Sequence, residues 1–128
     1  MKTIRTITVQ THDHGPVIVR EPSWCLGDHP DGGNRSDITH TGRMVQLTLG
    51  GQTMLASAQL AQWPYSVRSR VPFVAVEFAD GEHEYDPAEL QALSAALTEF
   101  ASITLPLVGD LLQLAIETEE AGHAARHA

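Results

Sequence analysis

Residues Pro22 to His40 read PSWCLGDHPDGGNRSDITH, and the rest of the chain is organised around this stretch. It carries no sustained apolar alternation and no helical periodicity. Gly27, Pro30, Gly32, Gly33 and Asn34 each favour turns through their own backbone preferences. A structureless insert of this length is uncommon inside a compact domain and signals either function or disorder. Disorder fits poorly, because Trp24, Cys25, Leu26 and Ile38 are residue types that prefer burial. A metal ion resolves the conflict by replacing missing core with ligand bonds. Cys25, His29 and His40 offer one thiolate and two imidazoles, a donor set that zinc accepts in tetrahedral geometry. The short gap from Cys25 to His29 lets one turn supply two donors, and the longer gap brings His40 back. A closed site needs a fourth donor. Asp37 inside the loop and His83 in a later strand are the candidates, and water in that position would leave the site open. The competing reading makes Cys25 a small buried hydrophobe and the two histidines ordinary surface or hydrogen-bonded residues.

Outward from the loop, the flanking segments read as strands. Thr3 to Gln10, TIRTITVQ, is rich in β-branched residues and forms a strand. Thr11 to Pro16 is turn chemistry, and Val17 to Arg20 returns as the second strand of a hairpin. His12 and His14 in that turn are expected in solvent. Arg43 to Leu49 and Gln52 to Leu60 flank Gly50-Gly51, a permissive pair for a tight hairpin. Ala61 to Arg70, with Trp63, Tyr65, Arg68 and Arg70, reads as an irregular connection tucked over a sheet edge. Val71 to Ala79 and Glu82 to Tyr85 form a further hairpin across Asp80-Gly81.

Asp86 to Glu89, DPAE, opens a helix: an N-cap, a proline at the first helical position and a capping-box glutamate. Leu90, Leu93, Leu97, Phe100, Thr104, Leu107, Leu111 and Leu114 then follow at alternating spacings of three and four, one apolar seam. Pro106 removes a backbone donor, so a kink or short break is expected between Ser102 and Leu105. A straight helix from Pro87 to Gly122 would be roughly 54 Å long, more than a domain of this size spans. The second half therefore either folds back or packs on another chain, and the seam favours a homodimer through this helix. The expected architecture is α+β: an antiparallel sheet of about five to six short strands, then a long C-terminal helix kinked or broken near Pro106. Residues 1–122 form one domain, with 123–128 a frayed tail.

The combination of PSWC, the step to His29, DITH ending at His40, and EHEYDP opening an Ala/Leu-rich helix resembles a family of small actinobacterial domains of unknown function. The resemblance implies an α+β domain in which Trp24, Cys25, His29 and His40 belong to the shared pattern. It implies no activity.

Composition narrows the function classes. A chain of 128 residues with 42% hydrophobic and 19% charged content builds one modest core rather than a disordered tail. The net charge of −8 concentrates from Asp80 onward, where Arg126 is the one base. With no basic stripe, direct nucleic-acid binding is disfavoured. A single cysteine suits a reducing compartment. MKTIRTITVQ lacks the apolar centre of a secretory leader, and Ile103 to Val108 is too short a run to span a bilayer. The expected address is the cytoplasm, away from membranes. The favoured reading is a non-enzymatic binding or regulatory module with a zinc-clipped loop. A small metal- or cysteine-dependent hydrolase and an acidic partner-binding or inhibitor protein are the alternatives. No nucleophile elbow, HExxH or phosphate-cradling glycine loop supports the hydrolase.

Overall fold

The structure, a computed structural model, describes residues 5–126. The chain divides into two units, Met1–Pro87 and Ala88–Ala128. The first is all β. Strands β1 (Arg5–Thr11) and β2 (Gly15–Glu21) form an antiparallel hairpin, and β3 (His40–Thr41), β4 (Val45–Leu49), β5 (Thr53–Gln62), β6 (Phe73–Phe78) and β7 (Gly81–Tyr85) follow. The second unit is helical. The arrangement is α+β, with antiparallel sheets preceding one long helix, as expected.

Seven strands replace the expected five to six because the end of the loop itself pairs: His40 and Thr41 lie opposite Gln62 and Ala61. The strands also divide into two sheets rather than one. β1 and β2 pair only with each other, whereas β3 and β4 both flank β5, and β6 and β7 continue that sheet. The free edge of β1 is taken by the loop instead. The Gln10 amide donates to Asp31 Oδ1 at 2.9 Å, the Gly32 amide to the Gln10 carbonyl at 2.8 Å, and the His12 amide to the Gly33 carbonyl at 2.8 Å. Unpaired edge groups must find partners, and turn-rich chain supplies them here. Of the first expected strand, Thr3 and Ile4 lie outside the described residues.

Strand alternation sets which side chains turn inward. On β1 and β2 the inward positions include Val9 and Val19, both almost fully buried, and Glu21 at the end of β2. Ile38 from the loop closes a small core with Val9 and Val19, and Ile7, Val17 and Tyr65 pack around it. The connection after β5 thus contributes an aromatic ring to the core. Tyr65 Oη also lies 3.4 Å from the Ile18 carbonyl, with the Arg35 guanidinium 5.2 Å from the ring centroid. In the larger sheet the register pairs Val45 with Ala58, Ala58 with Val76 and Leu60 with Val74, collecting one apolar face.

The helical unit comprises α1 (Pro87–Glu99), a π-helical turn (Phe100–Thr104) and α2 (Leu105–Arg126). The irregularity expected near Pro106 is this π turn, in which the Leu105 amide donates to the Phe100 carbonyl five residues back. Pro106 lacks an amide, so widening the preceding turn re-registers the ladder without ending the helix. The wider turn holds one extra residue and changes the face. Leu90, Leu93, Leu97 and Phe100 are continued along the helix by Leu105, Val108, Leu112 and Ile116, not by Thr104, Leu107, Leu111 and Leu114. The three-and-four spacing read from sequence crosses the π turn out of phase. α2 includes His123 to Arg126. Over the full extent of the helix, Pro87–Arg126, an 18-residue window reaches a mean hydropathy of 1.4 with at most two charges, enough by length and composition alone to cross a membrane. The shorter run Ile103–Val108 does not reveal this, because it is bounded by Ser102 and Gly109.

Val19 and Leu47 test where the first unit's stability resides. Val19 is 1% exposed and Leu47 is 59% exposed. Val19→Ala is expected to lower unfolding free energy by about 1–3 kcal/mol, and Leu47→Ala by less than about 0.5 kcal/mol. Urea denaturation midpoints at constant slope measure both.

Candidate metal centre

Glu21 is the strand residue that the sequence reading missed. The alternation Val17, Val19, Glu21 places its carboxylate on the buried side, across from Arg5 on β1. Its side chain has no exposed surface. A glutamate at the third inward position of an otherwise apolar alternation is the signal that points to it in sequence.

Cys25 follows one turn later. Its amide donates to the Pro22 carbonyl at 3.0 Å, closing the PSWC turn, and the Leu26 amide donates to the Thr41 carbonyl at 2.9 Å, tying the turn to β3. Arg5 donates to the Cys25 carbonyl at 2.6 Å. The Gly27 amide lies 3.4 Å from Cys25 Sγ. Gly27 adopts φ +83°, a left-handed conformation, and a Cβ there would meet Ile7 Cδ1 at 3.2 Å. Only glycine turns the chain tightly enough at this point to present both its amide to the sulfur and the next residues to the site. His40 arrives on β3, its ring nearly perpendicular to that of Trp24 at 6.1 Å between centroids.

These elements bring Glu21, Cys25, His29 and His40 together, with one donor atom from each lying within 4.8 Å of all the others. His29 Nε2 is 2.6 Å from Glu21 Oε1, His40 Nδ1 is 3.6 Å from the same oxygen, and Cys25 Sγ is 3.7 Å from His29 Nε2. Tetrahedral coordination at zinc–nitrogen and zinc–sulfur bond lengths sets neighbouring donors roughly 3.3–3.8 Å apart. Two of the three separations fall within that range, and the third, the 2.6 Å His29–Glu21 contact, is a hydrogen bond that would have to open for an ion to be seated. Two atoms sharpen the fit: Glu21 Oε2 and His40 Nδ1 are buried without a hydrogen-bond partner. Buried polar atoms ordinarily have one, and a cation among these groups would satisfy the nitrogen and neutralise the carboxylate. The cluster can hold a metal ion through a sulfur, two nitrogens and an oxygen.

Burial, and after it the Glu21 carboxylate, pushes the Cys25 thiol above its ordinary range, while the Gly27 amide pulls the other way. Burial holds the His40 imidazole below its ordinary range, with the Glu21 charge opposing and His29 reinforcing. A cation held here would have to displace the thiol proton of Cys25 and would be ligated by the neutral form of His40, the form that burial favours.

The other sequence candidates fall elsewhere. Asp37 is exposed on a single 3₁₀ turn, Arg35–Asp37, and lies outside the four-residue group. It lines a cavity of about 210 Å³ together with Asp28, His29, Asn34, Ile38 and Thr41. His83 is exposed on β7 and pairs with Asp80 at 3.1 Å. The turn Asp80-Gly81 that sets the β6–β7 hairpin also supplies this local partner. His12 and His14 are exposed at the β1–β2 turn, as expected.

Metal-free protein gives a pH test of the buried His40. An unfolded imidazole titrates near about pH 6.5. Below that value the unfolded chain takes up a proton that the folded site resists. Stability is therefore full above about pH 6.5 and is lost as pH falls through the lower folded value. Urea midpoints of metal-free protein should drop between about pH 7.5 and about pH 5, and His40→Gln should flatten that part of the curve.

No curated protein and no solved structure matches this sequence. A model for a domain of unknown function, DUF6907, matches residues 6–106. The matched span contains all four clustered donors, six whole strands and nearly all of β1, α1 and the π turn. On that coverage the chain belongs to the DUF6907 family.

Proposed function

We propose that this protein is a non-enzymatic binding or regulatory module, cytoplasmic, whose loop is clipped by a zinc ion held by Glu21, Cys25, His29 and His40. The observation that carries the reading is the convergence of four buried donors from a strand end, a turn, a loop and a short pairing strand. Thiolate and imidazole together favour zinc over the hard cations that oxygen ligands select. A lone cysteine serving as ligand belongs in a reducing compartment, where it is not drawn into disulfides.

Binding is favoured over hydrolysis because four protein donors complete a tetrahedral ion and leave no position for an activated water. His29 also forms part of the wall of the 210 Å³ cavity that Asp37 lines. An ion fixing the His29 ring would therefore fix one wall of a small binding site. In this role the metal shapes a recognition surface and does not take part in a reaction.

Metal analysis of protein purified without chelator tests the reading. About one equivalent of zinc is expected in the wild type, with less than about a tenth retained by Cys25→Ala or His29→Ala. Asp37→Ala and His83→Ala should keep the full equivalent. Wild-type protein that carries no zinc and gains no thermal stability on adding it would sink the proposal.

A further inference from the structure

The helix Pro87–Arg126 poses a separate problem. Ten of its large apolar side chains are exposed, from Ile116 at 43% to Leu112 at 61%, and none of its described residues is fully buried. Water is a poor neighbour for such a surface, which exceeds the scattered apolar residues of an ordinary monomer. From the row geometry we infer that this helix associates with the same helix of a second copy, along Leu90, Leu93, Leu97, Phe100, Leu105, Val108, Leu112 and Ile116.

Three observations favour this occupant. The first is area. Of the ten, Leu97, Phe100, Leu105, Val108, Leu112 and Ile116 lie on the row; with Leu90 and Leu93 they present roughly 550–650 Å² per copy, about 1,100–1,300 Å² for the pair, at the lower end of the range for specific interfaces. The second is charge. The row is free of charge from Leu90 to Ile116, and Asp110, the one acid within the apolar stretch Phe100 to Ile116, lies on the opposite side of the helix once the π turn is counted. An identical helix then meets an uncharged stripe with its own, while Asp110 faces water. The third concerns the bilayer, for which the helix is equipped poorly. Arg126 is its one Lys or Arg, Phe100 its one Phe, Trp or Tyr, and acids flank both ends of the apolar stretch. Membrane-crossing helices carry basic flanks and Trp or Tyr at the interfaces, and Asp110 at mid-depth would cost about 2.5–3.5 kcal/mol. The π turn is what makes the row continuous. Without it, Phe100 would be followed by Thr104 and Leu107, and the Leu105 row would rotate away.

Sedimentation velocity of the full chain, without detergent and over a wide concentration range, reads the outcome directly. The wild type is expected at twice the chain mass. Leu97→Glu with Leu112→Glu should raise the dissociation constant by about 100-fold or more, since a charge would be buried unpaired. Leu107→Glu with Leu114→Glu, off the row, should leave the dimer intact. Circular dichroism must show helix retained in both variants; if either unfolds, the wild-type mass alone decides. A wild-type monomer at all concentrations overturns the inference, as does recovery of the chain on lipid vesicles in place of a soluble dimer. Equal sensitivity of the two double variants overturns the assigned row.

Discussion

The first unit depends on a carboxylate placed where a hydrophobic residue would ordinarily sit. Glu21 ends β2 on its inward face, with no exposed side-chain surface. A buried charge without partners costs several kcal/mol even after relaxation. Its neighbours answer that cost: His29 at 2.6 Å, His40 at 3.6 Å, and Arg5 more distantly at 3.8 Å from Oε2. Arg5 is 55% exposed, so solvent screens most of its attraction. The groups nearest the carboxylate are therefore imidazoles, and the fourth neighbour is a thiol. Such a set is costly as a neutral core and well suited to surround a cation.

The rest of the unit is small enough for that set to matter. Among the described residues the fully buried apolar side chains are Val9, Val19, Cys25, Ile38, Ala61 and Val76. A core of this size is modest for the chain that it must hold, and small cores are commonly supplemented by a metal or a disulfide. One cysteine excludes an internal disulfide. The loop from Pro22 to Thr39 is meanwhile tied down at both ends, to β1 through Gly32 and Gly33 and to β3 through Leu26. Those backbone bonds bring Cys25 and His40 within reach of Glu21, and the resulting loop carries the cavity beside His29. Shape and candidate function are thus properties of the same segment.

The helix follows a different logic. Its sequence pattern is apolar over a broad arc, and a single turn decides which residues share a face. Pro106 removes one donor, the ladder widens between Phe100 and Thr104, and every later residue is carried forward by one position. Back-bonding by Ser and Thr hydroxyls accompanies the change, with Thr98 donating to the Ser94 carbonyl and Ser102 to the Thr98 carbonyl. Such bonds loosen the adjacent ladder and commonly go with bends. A pattern that looks unbroken in sequence is in fact two offset rows.

Sequence alone determined the α+β class, the hairpins at Gly50-Gly51 and Asp80-Gly81, the helix start at Pro87 and an irregularity before Pro106. Each rests on local preference: alternation with period two, left-handed turns that need glycine, and a proline without an amide. Cys25, His29 and His40 were legible as a group because their residue types are scarce and closely spaced. Glu21 was missed because a glutamate at a strand end is ordinarily solvated, and its place in the alternation Val17, Val19, Glu21 was the one local sign of its burial. Asp37 and His83 had suitable chemistry, but side-chain direction set them apart from the group, one on an exposed turn and the other beside Asp80. Tertiary structure alone decided these points, since the fourth donor, the pairing of His40 with β5 and the row continued past the π turn depend on where distant backbone segments bond.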